Sequence, residues 1–152
     1  MYIITNYLTS VSVILHLMIS FILENYIWIV FWLSLGGVLF AAYMVAHKAI
    51  LEVCPFNEEC PYFLGYPACY FGLAMFLIMF MAACANIWFG FNFYWTHKVM
   101  TIVSILGIVF AGSYVVGDMR EWLVNGRKYG LVLPTCAYGL IFYGLILIVS
   151  LI

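Results

Sequence analysis

A chain of 152 residues that is 68% hydrophobic and 7% charged, with formal net charge −1 and mean hydropathy +1.18, is composed for lipid. Soluble domains carry roughly 25% charged residues. The five Lys and Arg are scattered along the sequence, which excludes nucleic acid as a partner and leaves the lipid bilayer as the surrounding medium.

A membrane span needs about 20 mainly apolar residues, and five stretches meet that length. The first runs over 3–23. Its start, "MYIITNYL", has no basic region and no small-residue cleavage pattern follows, so it is expected to be a retained helix rather than a cleaved signal. A turn is expected at Glu24–Tyr26. The second span covers 27–51, the third 67–90, the fourth 99–117 and the fifth 134–152. No linker or low-complexity segment divides them. The predicted fold is all-α: one transmembrane domain over 1–152, a bundle of five helices.

Five spans put the two ends of the chain on opposite sides. One side, here side A, holds the N-terminus and the 52–66 and 118–133 loops. Side B holds the 24–26 turn, the 91–98 loop and the C-terminus. Tyr26, Trp28, Trp88, Tyr94 and Trp95 ring side B as an interfacial aromatic belt, with His97 and Lys98 extended towards headgroups. Gly37 with Ala41, and Gly107 with Ala111, are four residues apart, a spacing that lets helix backbones approach closely in lipid.

One phrase occurs twice. "GYPACYFGL" at 65–73 and "VLPTCAYGL" at 132–140 share Pro-x-Cys-x-aromatic-Gly-Leu, and each opens a span on side A. Proline suits the first helical position, where its missing N–H costs nothing. The cysteine that follows, Cys69 or Cys136, falls in the first turn. There the unpaired N–H groups and the helix dipole favour a thiolate. The glycines, Gly72 and Gly139, are expected to admit a neighbouring helix. Cys54 and Cys60 lie in the adjoining loop, so four of the five cysteines gather at side A. Cys84 is deep in the third span and is read as a packing residue. The four thiols make two pairs, Cys54 with Cys60 and Cys69 with Cys136, or a four-cysteine metal site. The spacing Cys-x5-Cys-x8-Cys is not that of a zinc ribbon, and no metal site is predicted.

The run of a hydrophobic helix, a two-cysteine loop and "FLGYPACYFGLAMF" resembles the vitamin K epoxide reductase family and its bacterial relatives, membrane thiol oxidoreductases. The resemblance covers roughly 27–152 and leaves the first helix as an extra element. It implies a four-helix core, a quinone as electron acceptor, and electrons relayed from the loop pair Cys54 and Cys60 to an embedded site at Cys136. The family has a Cys-x-x-Cys pair at that place. Here Cys136 is followed by Ala137, Tyr138 and Gly139, so the second cysteine is absent. Cys69, which opens the neighbouring phrase, is expected to supply the missing thiol across the helix contact, a reading that the family itself does not imply.

Lys48, Arg120, Arg127 and Lys128 on side A, against Lys98 alone on side B, direct side A and the N-terminus to the cytoplasm. Thiols there are kept reduced, whereas the resembled enzymes work towards an oxidising compartment. His16, His47 and His97 share no common depth, which argues against a two-histidine haem site, and no span carries a charged residue near its centre, as an ion-coupled transporter or pump would. Three functions are consistent with these residues. The first is a membrane thiol–disulfide oxidoreductase, its site thiols Cys54, Cys60, Cys69 and Cys136, coupled to a quinone and to a soluble thiol partner. The second is a non-enzymatic subunit or scaffold among other membrane subunits. The third is a cysteine-based metal-binding protein.

Overall fold

The computed structural model describes residues 2–51, 62–125 and 135–152. Among the described residues there are four helices and a short hairpin. Helix α1 spans Tyr2–Leu51, strands β1 and β2 span Tyr62–Phe63 and Tyr66–Pro67, and helices α2, α3 and α4 span Ala68–Phe89, Phe93–Asn125 and Thr135–Leu151. Glu24–Ile50, Ala68–Phe89 and Phe93–Gly117 are long and apolar enough to cross a membrane, and Cys136–Leu151 is a shorter apolar helix.

The first two predicted spans are one helix. The expected turn at Glu24–Tyr26 does not form, because the polarity there is a break in hydropathy and not in the backbone. No Gly or Pro interrupts the helix at that point. Asn25 instead donates a hydrogen bond through Nδ2 to the Phe21 carbonyl, one turn back, at 3.0 Å. Fifty residues of helix are roughly 75 Å long, well beyond a hydrocarbon core of about 30 Å. Residues 2–23 therefore continue past the side-B end of the bundle and do not return alongside it. This corrects the expectation that the N-terminus shares an end with the cysteine phrases.

The 91–98 stretch is also more helical than expected. Gly90 ends α2 in the left-handed region at φ 61°, which glycine adopts without steric cost. Asn92 then caps α3: its Oδ1 accepts the Tyr94 N–H at 2.9 Å and its carbonyl accepts from Trp95 and Thr96. Only residues 90–92 separate α2 from α3. Helix α3 also runs on past the expected end at 117, to Asn125.

Helix α1 packs chiefly on α2, and α3 chiefly on α4; contacts of α1 with α4 and of α2 with α3 close the ring. At its centre the rings of Phe76 and Tyr143 stack with centroids 4.4 Å apart and planes within 3°. Each ring also lies on a glycine of its neighbouring helix. A methyl group at Gly37 would overlap Phe76, and one at Gly107 would overlap Tyr143. Those glycines and the buried Ala41 and Ala111 are contact points, but each glycine admits an aromatic ring of the neighbouring helix where its spacing predicted a backbone. Val30, Met79, Met100 and Ile146 fill the layer beside them.

Candidate thiol site at one end of the bundle

Cys69 and Cys136 are each the second residue of their helix, α2 and α4. Pro67 leads into α2 with φ −57° and ψ 135°, a conformation proline holds without strain. As the second residue of α2, Cys69 lies in the first turn, whose backbone N–H groups have no partner within the helix.

Helical spacing fixes where the cysteines face. Residues at i, i+3 and i+7 share one side of a helix, so Cys69 is in line with Gly72 and Phe76, and Cys136 with Gly139 and Tyr143. Phe76 and Tyr143 are the stacked pair. Tyr143 also donates its hydroxyl proton to the Gly72 carbonyl at 3.3 Å. Each cysteine is thus on the same side of its helix as one of the two stacked rings, about 10 Å along the helix towards its first turn. Both are half-buried. Neither they nor Cys84 is in a disulfide.

The glycines of the phrase behave differently from expectation. A Cβ at Gly72 would meet nothing within 4 Å, and one at Gly139 only the edge of its own helix's Tyr143 ring. Among the described residues, no side chain of another helix lies where their Cβ atoms would stand.

Aromatic pairs wall this end on both sides. Phe40 of α1 meets Tyr138 of α4 at 5.6 Å between centroids, and Phe71 of α2 meets Phe110 of α3 at 5.9 Å. The β1–β2 hairpin turns through Leu64 and Gly65, both at positive φ, and pairs Phe63 with Tyr66. That turn seats the Phe63 ring against Phe71 and Phe110. Lys48, in the last turn of α1, lies within electrostatic range of Cys69, and Tyr114 of α3 lies within that range of Cys136.

Cys54 and Cys60 lie outside the described residues, as do Arg127 and Lys128 and the side chain of His16. Among the described residues, no group of three His, Cys, Asp or Glu side chains is placed to hold a metal ion. Cys84 packs, half-buried, against the core.

Side B holds polar groups whose roles differ from those expected. Tyr26 is 3% exposed, so it belongs to the interior and not to the aromatic belt. Its hydroxyl shares a 3.0 Å hydrogen bond with Ser150 Oγ. His97 does not reach outwards; its Nε2 lies 2.8 Å from the Ser150 carbonyl, one of the last carbonyls of α4, which have no partner within the helix. Trp28, Trp88, Tyr94 and Trp95 are exposed as a belt requires, and Lys98 lies over the Tyr94 ring at 4.4 Å.

Phe76 and Tyr143 are the residues that sequence reasoning passed over, although a signal was present. The repeated phrase does not stop at leucine. It runs on three residues in each copy, "PACYFGLAMF" and "PTCAYGLIFY", and ends both times on an aromatic ring. No protein-family model, curated protein or solved structure matches this chain.

Proposed function

We propose that the chain is a multi-pass membrane thiol–disulfide redox protein, with Cys69 and Cys136 as its embedded pair and a quinone as electron acceptor. The observation that supports this is the common facing of the two cysteines. Each stands seven residues before one of two rings that stack on each other, with a glycine between, Gly72 or Gly139, whose Cβ would meet no other helix among the described residues. In turnover the Cys69 and Cys136 thiols join in one disulfide, releasing two electrons and two protons that convert the quinone to the quinol. A soluble dithiol partner reduces a Cys54–Cys60 disulfide by thiolate attack through a mixed disulfide and is itself oxidised; the Cys54–Cys60 dithiol then reduces the Cys69–Cys136 disulfide by the same exchange and returns to the disulfide. This reading shares the partial resemblance to the vitamin K epoxide reductase family, with Cys69 in the role of its missing second cysteine. The excess of Lys and Arg on side A supports an orientation with the thiols towards the cytoplasm, where the resting pair would be the dithiol.

The test is alkylation of purified protein before and after reduction, with and without a soluble quinone, followed by peptide mass spectrometry. A linked Cys69–Cys136 peptide that appears with quinone and disappears with reductant supports the reading. Ready alkylation of both cysteines under every condition overturns it.

One observation favours a non-enzymatic subunit of a larger assembly. Ile14, Leu17, Met18 and Phe21 form an apolar stripe on the part of α1 beyond the bundle, and all four are exposed. Such a stripe suits contact with another membrane subunit. Under that reading the cysteines stay thiols throughout the alkylation experiment.

A further inference from the structure

The two cysteine phrases belong to a larger correspondence. Seventy residues separate Ser34 from Ser104, Gly37 from Gly107, Phe40 from Phe110 and Ala41 from Ala111, and "SLGGVLFAA" at 34–42 aligns with "SILGIVFAG" at 104–112. In the second helices the offset is 67 residues. It pairs Cys69 with Cys136, Gly72 with Gly139 and Phe76 with Tyr143.

The structure uses matched residues in matched ways. Val30 and Met100, Ser34 and Ser104, Ala41 and Ala111, Met79 and Ile146, and Phe76 and Tyr143 are each buried as pairs. Gly37 receives the ring of Phe76, and its counterpart Gly107 receives the ring of Tyr143. Across the seam between halves, Phe40 of α1 meets Tyr138 of α4. The equivalent residues are Phe110 of α3 and Phe71 of α2, and they meet too. A contact from i to j repeated as j to i is the mark of an isologous interface, and the residues on its axis meet their own counterparts. Phe76 stacked on Tyr143 is such a self-contact. Helices α1 and α3 run in one direction and α2 and α4 in the other, as in parallel repeats related by an axis along the bundle.

We propose that the chain is a tandem pair of one helical hairpin, α1–α2 and α3–α4, joined through a self-complementary face about a two-fold axis through the Phe76–Tyr143 stack. The partner that each hairpin face fits is a second copy of that hairpin, supplied within the same chain. The end of the bundle at which Cys69 and Cys136 open their helices therefore has two equivalent halves. This holds whether or not the two thiols carry out redox chemistry.

The symmetry is broken on the axis by one atom, the Tyr143 hydroxyl, which Phe76 lacks. It donates to the Gly72 carbonyl, and the axis places the Gly139 carbonyl in the equivalent position relative to residue 76. The full-length chain is compared as wild type, Tyr143→Phe and the double variant Phe76→Tyr with Tyr143→Phe, by thermal unfolding in detergent. Loss of the hydroxyl lowers the unfolding temperature by roughly 2–4 °C, and the double variant, with the hydroxyl moved to the other half, returns to the wild-type value. A double variant no more stable than Tyr143→Phe alone overturns the proposal.

A second measurement does not depend on those rings. The five native cysteines are replaced by serine, and cysteine pairs are placed at positions 40 and 138, or at 71 and 110. A short bis-maleimide is expected to link both pairs within one chain at the same rate. Linkage of one pair without the other overturns the two-fold arrangement.

Discussion

The Tyr26 hydroxyl and the Ser150 hydroxyl meet at 3.0 Å in a buried setting, tying α1 to the end of α4 across nearly the whole length of the sequence. Burial leaves neither group water as an alternative partner. Removal of one strands the other, which costs about 1–3 kcal/mol. Tyr26→Phe and Ser150→Ala are each expected to destabilise the bundle by that amount. The double variant is expected to lose less than the sum of the two, because the pair acts as a unit. Unfolding by denaturant in mixed micelles measures all three.

His97 donates its Nε2 proton to the Ser150 carbonyl when that nitrogen carries one, and so closes the C-terminal turn of α4 at 2.8 Å. His97→Ala leaves that carbonyl without its side-chain partner and is expected to cost about 0.5–1.5 kcal/mol. His97→Gln, which keeps a donor of similar reach, is expected to recover part of the loss. The same unfolding assay separates the two variants.

The glycines divide into two groups with opposite expected responses. Gly37→Ala and Gly107→Ala drive a methyl group into the Phe76 and Tyr143 rings and are expected to destabilise by about 1–3 kcal/mol each, the cost of overpacking a filled core. Gly72→Ala meets nothing within 4 Å. It is expected to hold or raise the unfolding temperature, since alanine is the better helix former by about 1 kcal/mol.

For the proposed redox activity, Cys69→Ser and Cys136→Ser are expected to abolish quinone reduction by a soluble dithiol to the same extent, because one disulfide needs both sulfurs. Cys84→Ser, a replacement on the core side of α2, is expected to leave the rate within a factor of about two of wild type, as for a substitution outside the reacting pair. Quinone absorbance in detergent or liposomes follows the reaction. Retention of activity in Cys136→Ser would remove the pair from the mechanism.

Hydropathy made the apolar helices legible, because a lipid-exposed helix must be apolar around most of its circumference. The same signal misread the joint at Glu24–Tyr26. Polar side chains lower hydropathy without ending a helix, and only a backbone signal such as the Gly90 and Asn92 pair does that. The cysteine phrase was legible as a helix start, and Cys69 and Cys136 are each the second residue of a helix. The purpose of Gly72 and Gly139 was not, because a small residue reads the same whether it admits a neighbour or leaves a gap. Gly37 and Gly107 admit rings; the phrase glycines do not. Tyr26 and His97 were assigned outwards by their amphipathic chemistry. Their inward turn depends on Ser150, a partner brought close only by the tertiary fold.

The three-residue connection at Gly90–Asn92 has a consequence for biogenesis. So short a link cannot cross a bilayer, so in a membrane α3 would start on the side where α2 ends. The two hairpins would then share one polarity, with Cys69 and Cys136, at the starts of α2 and α4, opening on one side, and a charge change that inverted one hairpin would invert both.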